Sequence, residues 1–136
     1  MALSAGPSPM LTHLNQPHVL AELNHAFERY EDALIHNKVD VLDELFWNSP
    51  HTLRYGAKEI LTGYAEIQAF RKGRPSVGMN RTIVERHVMS IGDDCGVTNI
   101  TFRREGEPRM GRQSQTWVRF VDGWRVVSAH VSWMDL

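Results

Sequence analysis

The chain has 136 residues, of which 42% are hydrophobic and 23% are charged, and its formal net charge at pH 7 is -1. This length is typical of a single domain with one hydrophobic core. The near-zero charge argues against the broad basic surface of a nucleic-acid-binding domain. The one cysteine excludes an internal disulfide, and no apolar run is long enough to span a bilayer. We therefore expect a soluble, cytoplasmic protein.

The N-terminal segment and the rest of the chain differ in pattern. Residues 1–16 contain small residues and two prolines without sustained periodicity. This predicts a flexible tail followed by one domain over residues 17–136.

Two helices are predicted next. Pro17 opens a segment in which apolar residues recur at three- and four-residue spacings, which is typical of an amphipathic helix. These residues are Val19, Leu23, Ala26, Phe27, Tyr30 and Leu34. A short second helix is predicted to begin with Asp40 as its cap and to end near Trp47.

A short strand or hairpin is predicted around TLRYG, after Ser49 and Pro50 interrupt the helical spacing. Thr62 is then a candidate cap for a third helix, GYAEIQAFRKGR. One face of that helix is predicted to contain Gly63, Ile67, Phe70, Arg71 and Arg74.

The second half of the chain predicts an antiparallel meander. Four runs have period-two alternation, and turn residues separate them. The runs are RTIVERHVMSI, GVTNITFRR, RQSQTWVRFV and WRVVSAHVSW. Helices followed by a meander indicate an α+β domain in which the helices pack on a curled antiparallel sheet and leave a hollow between the two layers.

Tyr30 and Arg54 are the first candidates for chemistry. Tyr30 ends the apolar stripe of the first helix, and a buried phenol needs a hydrogen-bond partner; the alternative is a core tyrosine bonded to backbone. Arg54 lies in the short strand, and a buried guanidinium requires an anion. That anion is either a ligand or a carboxylate of the chain, for which the candidates are Glu59, Glu44 and Asp43.

Four further residues are predicted to bind substrate. Arg71 is near the end of the third helix, where Arg74 is better explained as a surface cation attracted by the helix C-terminus. Alternation in the last strand groups His130 and Ser132 with Trp124, Val126 and Ser128. Alternation in the preceding strand groups Gln115 with Gln113, Trp117 and Arg119.

Metal and cofactor sites have little support in the sequence. Glu85 and His87 share a strand face, but a third ligand has to come from elsewhere, so a solvated strand face is the better explanation. A glycine-rich phosphate loop and a nucleophile elbow are absent. We expect no metal and no cofactor.

Several segments resemble known proteins. The ending QTWVRFVDGWRVVSAHVSW is similar to the final hairpin of SnoaL-like, nuclear-transport-factor-like cone-fold proteins. The segments YEDALIHNKVDVLDELFW, TLRYGAKEILTGYAEIQAFRKGR and GRQSQTWVRF resemble, more specifically, the AtzH-like family, also called the HpxZ or oxalurate-catabolism family. The resemblance covers residues 17–134.

The resemblance implies a function as well as a cone fold. It implies a homodimer encoded with amidase-signature enzymes, and conversion of 1,3-dicarboxyurea to allophanate and carbon dioxide by a decarboxylating amidohydrolase without a cofactor. The family's functional tyrosine and arginine correspond to Tyr30 in YEDAL and Arg54 in TLRYG. The roles of Arg71, Gln115, His130 and Ser132 rest on side-chain alternation.

Two other functions remain open. One is a non-catalytic or oxalurate-pathway accessory protein that binds a small carboxylated ureide or partners an amidase, with Trp117, Trp124 and Trp133 forming an interface. The other is a different small-molecule enzyme of this fold. Such an enzyme usually needs a carboxylate or an Asp-His pair as a base facing the cavity. It is disfavoured because the acidic residues of this chain cluster in helices and turns.

Overall fold

The computed structural model describes residues 13–75 and 79–136, which form three helices and six strands. The helices are α1 (Pro17–Ile35), α2 (Val39–Leu45) and α3 (Tyr64–Lys72). The strands are β1 (Leu53–Tyr55), β2 (Ile60–Thr62), β3 (Thr82–Ile91), β4 (Cys95–Arg103), β5 (Met110–Phe120) and β6 (Gly123–Met134). The predicted α+β architecture is confirmed. None of the described helices is long and apolar enough to cross a membrane.

All six strands form one open sheet in the order β2-β1-β6-β5-β4-β3. The four long strands are the predicted antiparallel meander. The sheet as a whole is mixed, because β1 pairs in parallel with β6 while β2 returns antiparallel to β1. The short hairpin thereby extends the sheet beyond β6, where it can form a side wall for the space under α1.

The hydrophobic core lies between α1 and the inner face of the sheet. All six apolar residues that the helical spacing selected are buried, which confirms the predicted stripe. Trp117 and Trp124 are buried in the same core. These two tryptophans are therefore not available for the interface that was expected of an accessory protein.

The two predicted helix caps are wrong. The residue before α2 is Lys38, which makes no side-chain cap, and Asp40 lies within the first turn. The residue before α3 is Gly63, whose φ of 91° favours glycine and turns the chain from β2 into the helix. The Thr62 amide donates to Glu66 Oε1 at 2.9 Å, so a glutamate of α3 satisfies this donor.

A register shift in the β5–β6 pair changes which side chains of β6 face inward. Trp117 pairs with Val126, whereas Thr116 pairs with Ser128, so Val127 is an extra residue in β6. An inserted residue reverses the alternation beyond it. Before the bulge Val126 faces the core, and after it Ala129 does.

The predicted N-terminal tail falls mostly on residues 1–12, which lie outside the described residues. Its last residues run along the end of β3. The Asn15 amide donates to the Ser90 carbonyl at 2.9 Å, and Leu14 forms a bridge with Ile91. The packed part of the chain therefore begins before residue 17.

Candidate functional site

A cavity of about 200 Å³ opens between α1, the β1–β2 hairpin, the end of α3 and the inner face of the sheet. Its wall combines aromatic and aliphatic side chains with a set of basic ones. The lining residues include Tyr30, Arg54, Lys58, Glu59, Phe70, Arg74, Met79, Arg81, Phe102, Arg104, Gln113, Val131 and Trp133.

Tyr30 reaches the cavity from α1. Its side chain is only 5% exposed and packs between the rings of Phe27 and Phe46, whose centroids lie 6.4 and 6.3 Å away. Among the described residues its hydroxyl has no hydrogen-bond partner, so the alternative of a phenol bonded to backbone finds no support there. The Tyr30 hydroxyl is therefore available to a ligand in the cavity.

Arg54 reaches the cavity from β1, the strand that pairs with β2 on one side and β6 on the other. Its Nη1 donates to Glu59 Oε1 at 3.0 Å, and its guanidinium carbon lies 5.6 Å from the centroid of the Phe70 ring. The ion pair with Glu59 that the sequence offered as an alternative is therefore present. It occupies one edge of a planar group that has donors on other edges as well.

The position of Glu59 depends on Gly56. A Cβ atom at residue 56 would lie 1.8 Å from Glu59 Oε1 and 2.3 Å from Glu59 Cδ. The Gly56 amide also donates to the Glu59 carbonyl at 2.9 Å, which closes the turn between β1 and β2. The absence of a side chain at residue 56 thus lets the Glu59 carboxylate lie beside Arg54.

Arg74 also lines the cavity, so its expected surface role is wrong. Its Nη1 lies 3.3 Å from Met79 Sδ and its guanidinium carbon lies 5.7 Å from the Phe70 ring centroid. Burial lowers the pKa of the Arg74 guanidinium, and the positive charge of Arg54 lowers it further. An anion bound between these two arginines would relieve both effects.

Arg81 joins α1 to the sheet. Its Nε donates to Glu31 Oε2 at 3.2 Å and its Nη2 donates to Glu31 Oε1, which forms a two-point ion pair. Both Nη atoms also lie 3.2 Å from Gln113 Oε1. The guanidinium carbon sits 4.4 Å from the centroid of the Phe102 ring, so Arg81 is held on three sides.

The cavity has an excess of positive charge. Five lining residues are cationic: Arg54, Lys58, Arg74, Arg81 and Arg104. Glu59 is the one carboxylate among the described residues that line the cavity, and Glu31 lies behind Arg81. Arg74 and Arg104 have no carboxylate at ion-pair distance within residues 13–75 and 79–136, and the remaining segments contain no Asp or Glu. A chain with a net charge of -1 has therefore concentrated cations here.

Arg71 lies outside this cavity, contrary to its predicted role there. It is 5% exposed, its Nη1 donates to Asp43 Oδ1 at 2.9 Å, and its guanidinium carbon lies 4.3 Å from the Phe46 ring centroid. Burial lowers the pKa of Arg71, while Asp43 opposes that shift. The contacts are those of an ion pair that joins α2 to α3.

Gln115 is on the predicted inner face but does not line the cavity. It is 1% exposed, and its Oε1 accepts a hydrogen bond from the Thr98 hydroxyl at 3.3 Å. Thr98 in turn accepts from Trp117 Nε1 at 3.0 Å. The residue of β5 that does reach the cavity is Gln113, two positions earlier.

His130 and Ser132 lie on the outer face of the sheet, so the expectation that they face the hollow is wrong. The extra residue at Val127 reverses the alternation, and Val131 and Trp133 line the cavity instead. His130 is exposed and packs edge-on against Tyr55, with 5.5 Å between ring centroids. Ser132 is paired with Arg112 on β5.

The weak metal candidate is an exposed pair on the sheet. His87 Nε2 lies 3.3 Å from Glu85 Oε2, and both side chains are largely accessible to solvent. Within the described part of the chain, no three histidine, cysteine or acidic side chains are grouped as metal ligands. The two residues fit a solvated strand face.

Sequence reasoning missed Arg81, Arg104 and Gln113 as cavity residues. The sequence pattern could have identified Gln113, because it shares the face of β5 that contains Gln115. Arg81 gave no local signal, since its partner Glu31 is 50 positions away. Arg104 stands next to a turn, where a basic residue is usually solvated.

Comparisons with known proteins agree on family and fold. The sequence profile of a family described as AtzH-like matches residues 12–136. A protein of unknown function from Pectobacterium atrosepticum is 48% identical with a TM-score of 0.90, and the match covers 96% of this chain and 100% of that one. A cystatin-like fold protein from Burkholderia xenovorans is 37% identical with a TM-score of 0.87, covering 90% and 97%.

More distant structures support the fold alone. An NTF2-like protein of unknown function from Pseudomonas putida is 16% identical, with a TM-score of 0.75 and coverage of 86% of this chain and 87% of that one. The predicted nuclear-transport-factor-like cone fold is thereby confirmed. No curated protein matches the chain significantly.

Proposed function

The chain belongs to the AtzH-like family, and from this premise we propose that it is a small, cofactor-independent enzyme that converts 1,3-dicarboxyurea to allophanate with release of carbon dioxide. The observation that carries the proposal is the cationic cavity, in whose wall Tyr30 and Arg54 stand together. These are the two residues that correspond to the functional tyrosine and arginine of the family.

The charge of the cavity suits this substrate. 1,3-Dicarboxyurea is a linear dianion with a carboxylate at each end, and a partly buried cavity binds such a molecule only if it supplies positive charge and hydrogen-bond donors. Arg54, Arg74 and Arg104 supply the charge, and the last two have no carboxylate partner among the described residues. Arg71, which sequence reasoning had assigned to this task, is replaced in it by Arg74.

The reaction needs a proton more than a nucleophile. The bond between the carbamate carbon and its nitrogen breaks, the bonding electrons remain on nitrogen, carbon dioxide leaves, and nitrogen takes up one proton. Arg54 holds the carboxylate that is retained, and the Tyr30 hydroxyl donates a hydrogen bond to the urea oxygen or nitrogen where negative charge develops. Because that hydroxyl makes no hydrogen bond to a described residue, its donation to a ligand breaks no hydrogen bond among the described residues.

The test is the release of carbon dioxide and allophanate from freshly generated 1,3-dicarboxyurea. The reaction is followed with wild-type protein, Arg54→Met, Arg112→Met and no protein, since the substrate also decays unaided. Arg112 is an exposed arginine on the outer face of β5 and is a matched control for the lost charge. We expect acceleration by wild type and Arg112→Met that is lost in Arg54→Met.

Folded wild-type protein that does not accelerate the reaction would contradict the proposal. If such a protein still bound the dianion, or copurified with an amidase, the accessory function would take its place.

A further inference from the structure

We propose that Phe70 is a positioning residue of the anion site: its ring holds the guanidinium groups of Arg54 and Arg74 at the cavity wall, where both donate to one carboxylate of the ligand. This inference rests on the proposed function, because it concerns the ligand of the same cavity. It adds the residue that keeps two like charges together at the place where that carboxylate binds.

Phe70 contacts two arginines that come from different parts of the chain. Phe70 lies in the last turn of α3, whereas Arg54 belongs to β1 and Arg74 follows the helix. The guanidinium carbon of Arg54 lies 5.6 Å from the centroid of the Phe70 ring, and that of Arg74 lies 5.7 Å from it. All three side chains line the cavity. One ring therefore supports two cations of the proposed site.

The end of α3 brings Arg74 to this ring. The Gly73 amide donates to the Phe70 carbonyl at 3.2 Å, and the Arg74 amide donates to the Arg71 carbonyl at 3.2 Å. The chain therefore keeps a helical turn beyond Lys72, and Arg74 follows Phe70 at the four-residue spacing of helix neighbours. Because helical side chains point toward the N-terminus of the helix, that of Arg74 points back to Phe70.

An aromatic ring holds an arginine without neutralising it. A carboxylate partner occupies N–H donors of the guanidinium group and cancels its charge. A ring attracts the same group through its quadrupole and carries no net charge. An arginine that is held by a ring alone therefore keeps its charge and most of its donors for an anionic ligand.

Arg74 is the arginine of the described chain that is held in this way. Ring contacts are made by six arginines, and five of them also have a carboxylate at ion-pair distance: Arg54, Arg71, Arg81, Arg86 and Arg109. Arg74 has none among the described residues. Its other contact is from Nη1 to Met79 Sδ at 3.3 Å, and a thioether is a weak acceptor.

The two guanidinium groups need this support because they repel each other. The positive charge of Arg54 contributes to the lowered pKa of Arg74. Glu59 offsets part of the charge of Arg54, and no described carboxylate does so for Arg74. We therefore expect an aliphatic side chain at residue 70 to let Arg74 turn toward solvent and leave the site.

Glutarate is the probe, because it is a stable dianion whose carboxylates are separated by as many chain atoms as those of 1,3-dicarboxyurea. Its dissociation constant is measured by isothermal titration calorimetry for wild type, Phe70→Leu, Phe70→Tyr and Phe120→Leu. Phe120 stacks on Trp47 with 5.4 Å between ring centroids and does not line the cavity, so Phe120→Leu is the matched control. We expect Phe70→Leu to bind about fivefold more weakly, the ratio for one cation–π contact. Phe70→Tyr, which keeps the ring, and Phe120→Leu are expected to bind like wild type.

A double-mutant cycle separates positioning from direct contact with the ligand. If Phe70 acts through Arg74, Phe70→Leu weakens binding by no more than about twofold when it is introduced into Arg74→Met, because only Arg54 is left to lose its support. The same fivefold effect in both backgrounds would mean that Phe70 contacts the ligand or only packs. That result overturns the inference.

Unchanged binding by Phe70→Leu also overturns it, and leaves the proposed function intact if turnover persists. If wild type turns over 1,3-dicarboxyurea without binding glutarate, KM replaces the dissociation constant in the same cycle. Wild type with neither binding nor turnover overturns both proposals. If Phe70→Leu does not fold, Phe70→Met fills a similar volume without a ring, and binding like that of wild type by this variant overturns the inference.

Discussion

Nη1 of Arg54 lies 3.0 Å from Oε1 of Glu59, so the arginine that we propose holds a ligand carboxylate already holds one that belongs to the chain. The pair is largely buried, with 16% of the arginine side chain and 24% of the glutamate side chain exposed. A ligand carboxylate has to share the guanidinium with Glu59 or displace it. If the cavity binds anions as proposed, its affinity for them depends on this competition between Glu59 and the ligand for Arg54.

Removing the negative charge of Glu59 is expected to strengthen anion binding. Glu59→Gln keeps the shape of the side chain and raises the net charge of the cavity by one. We expect glutarate to bind about fivefold more tightly, which corresponds to roughly 1 kcal/mol, the upper range for an ion pair that is not fully buried. Calorimetric titration measures the change. Weaker binding in this variant would show that Glu59 serves mainly to hold Arg54 in place.

Tyr30→Phe separates catalysis from folding. Among the described residues the hydroxyl makes no hydrogen bond, so its loss leaves the core packing intact and changes the unfolding free energy by less than about 1 kcal/mol. The loss of a proton donor at the reacting group is expected to lower turnover about a hundredfold. Thermal unfolding and the carbon dioxide assay report the two quantities. Full turnover by the variant would remove the phenol from the mechanism.

Arg71→Met is expected to lower stability, whereas Arg74→Met is expected to lower the affinity for anions. Arg71→Met leaves Asp43 partly buried without its ion-pair partner, so we expect the unfolding free energy to fall by about 3 kcal/mol. Arg74→Met breaks no ion pair with a described residue, so stability changes little while affinity for glutarate falls. Denaturant unfolding and calorimetry on the same two proteins provide the check. A stable Arg71→Met protein that no longer binds glutarate would return Arg71 to the site.

His130→Ala and Ser132→Ala are expected to leave turnover unchanged. Both side chains lie on the outer face of the sheet, away from the cavity. His130→Ala loses the edge-on contact with Tyr55, which is expected to cost stability of about 1 kcal/mol. Steady-state kinetics at matched protein concentration checks the first expectation. A large fall in the rate for either variant would mean that the outer face takes part in function.

Much of the site could be predicted wherever a short-range pattern controls the structure. The helical spacing of α1 placed Tyr30 inside, and the TLRYG segment placed Arg54 on a strand. Alternation in β5 selected the inner face correctly and missed only which glutamine reaches the cavity.

The errors arise where the structure depends on distant contacts. His130 was misplaced because an extra residue in β6 is a property of the β5–β6 register, which no local pattern reveals. The ion pair between Arg81 and Glu31 joins residues 50 positions apart, and the ion pair between Arg71 and Asp43 joins residues 28 positions apart. Spacing rules do not extend that far.

The bulge at Val127 makes the cavity wall sensitive to the length of β6 rather than only to its composition. Deleting this one residue in a strand that stays paired would turn His130 and Ser132 inward and Val131 and Trp133 outward, because every position beyond the deletion moves to the opposite face. The deletion of one codon would thus replace the apolar side chains of Val131 and Trp133 in the cavity wall with the imidazole of His130 and the hydroxyl of Ser132. Insertion or deletion of one residue in β6 would therefore replace apolar side chains of the cavity wall with side chains capable of acid–base chemistry, while the strand order of the sheet stays the same.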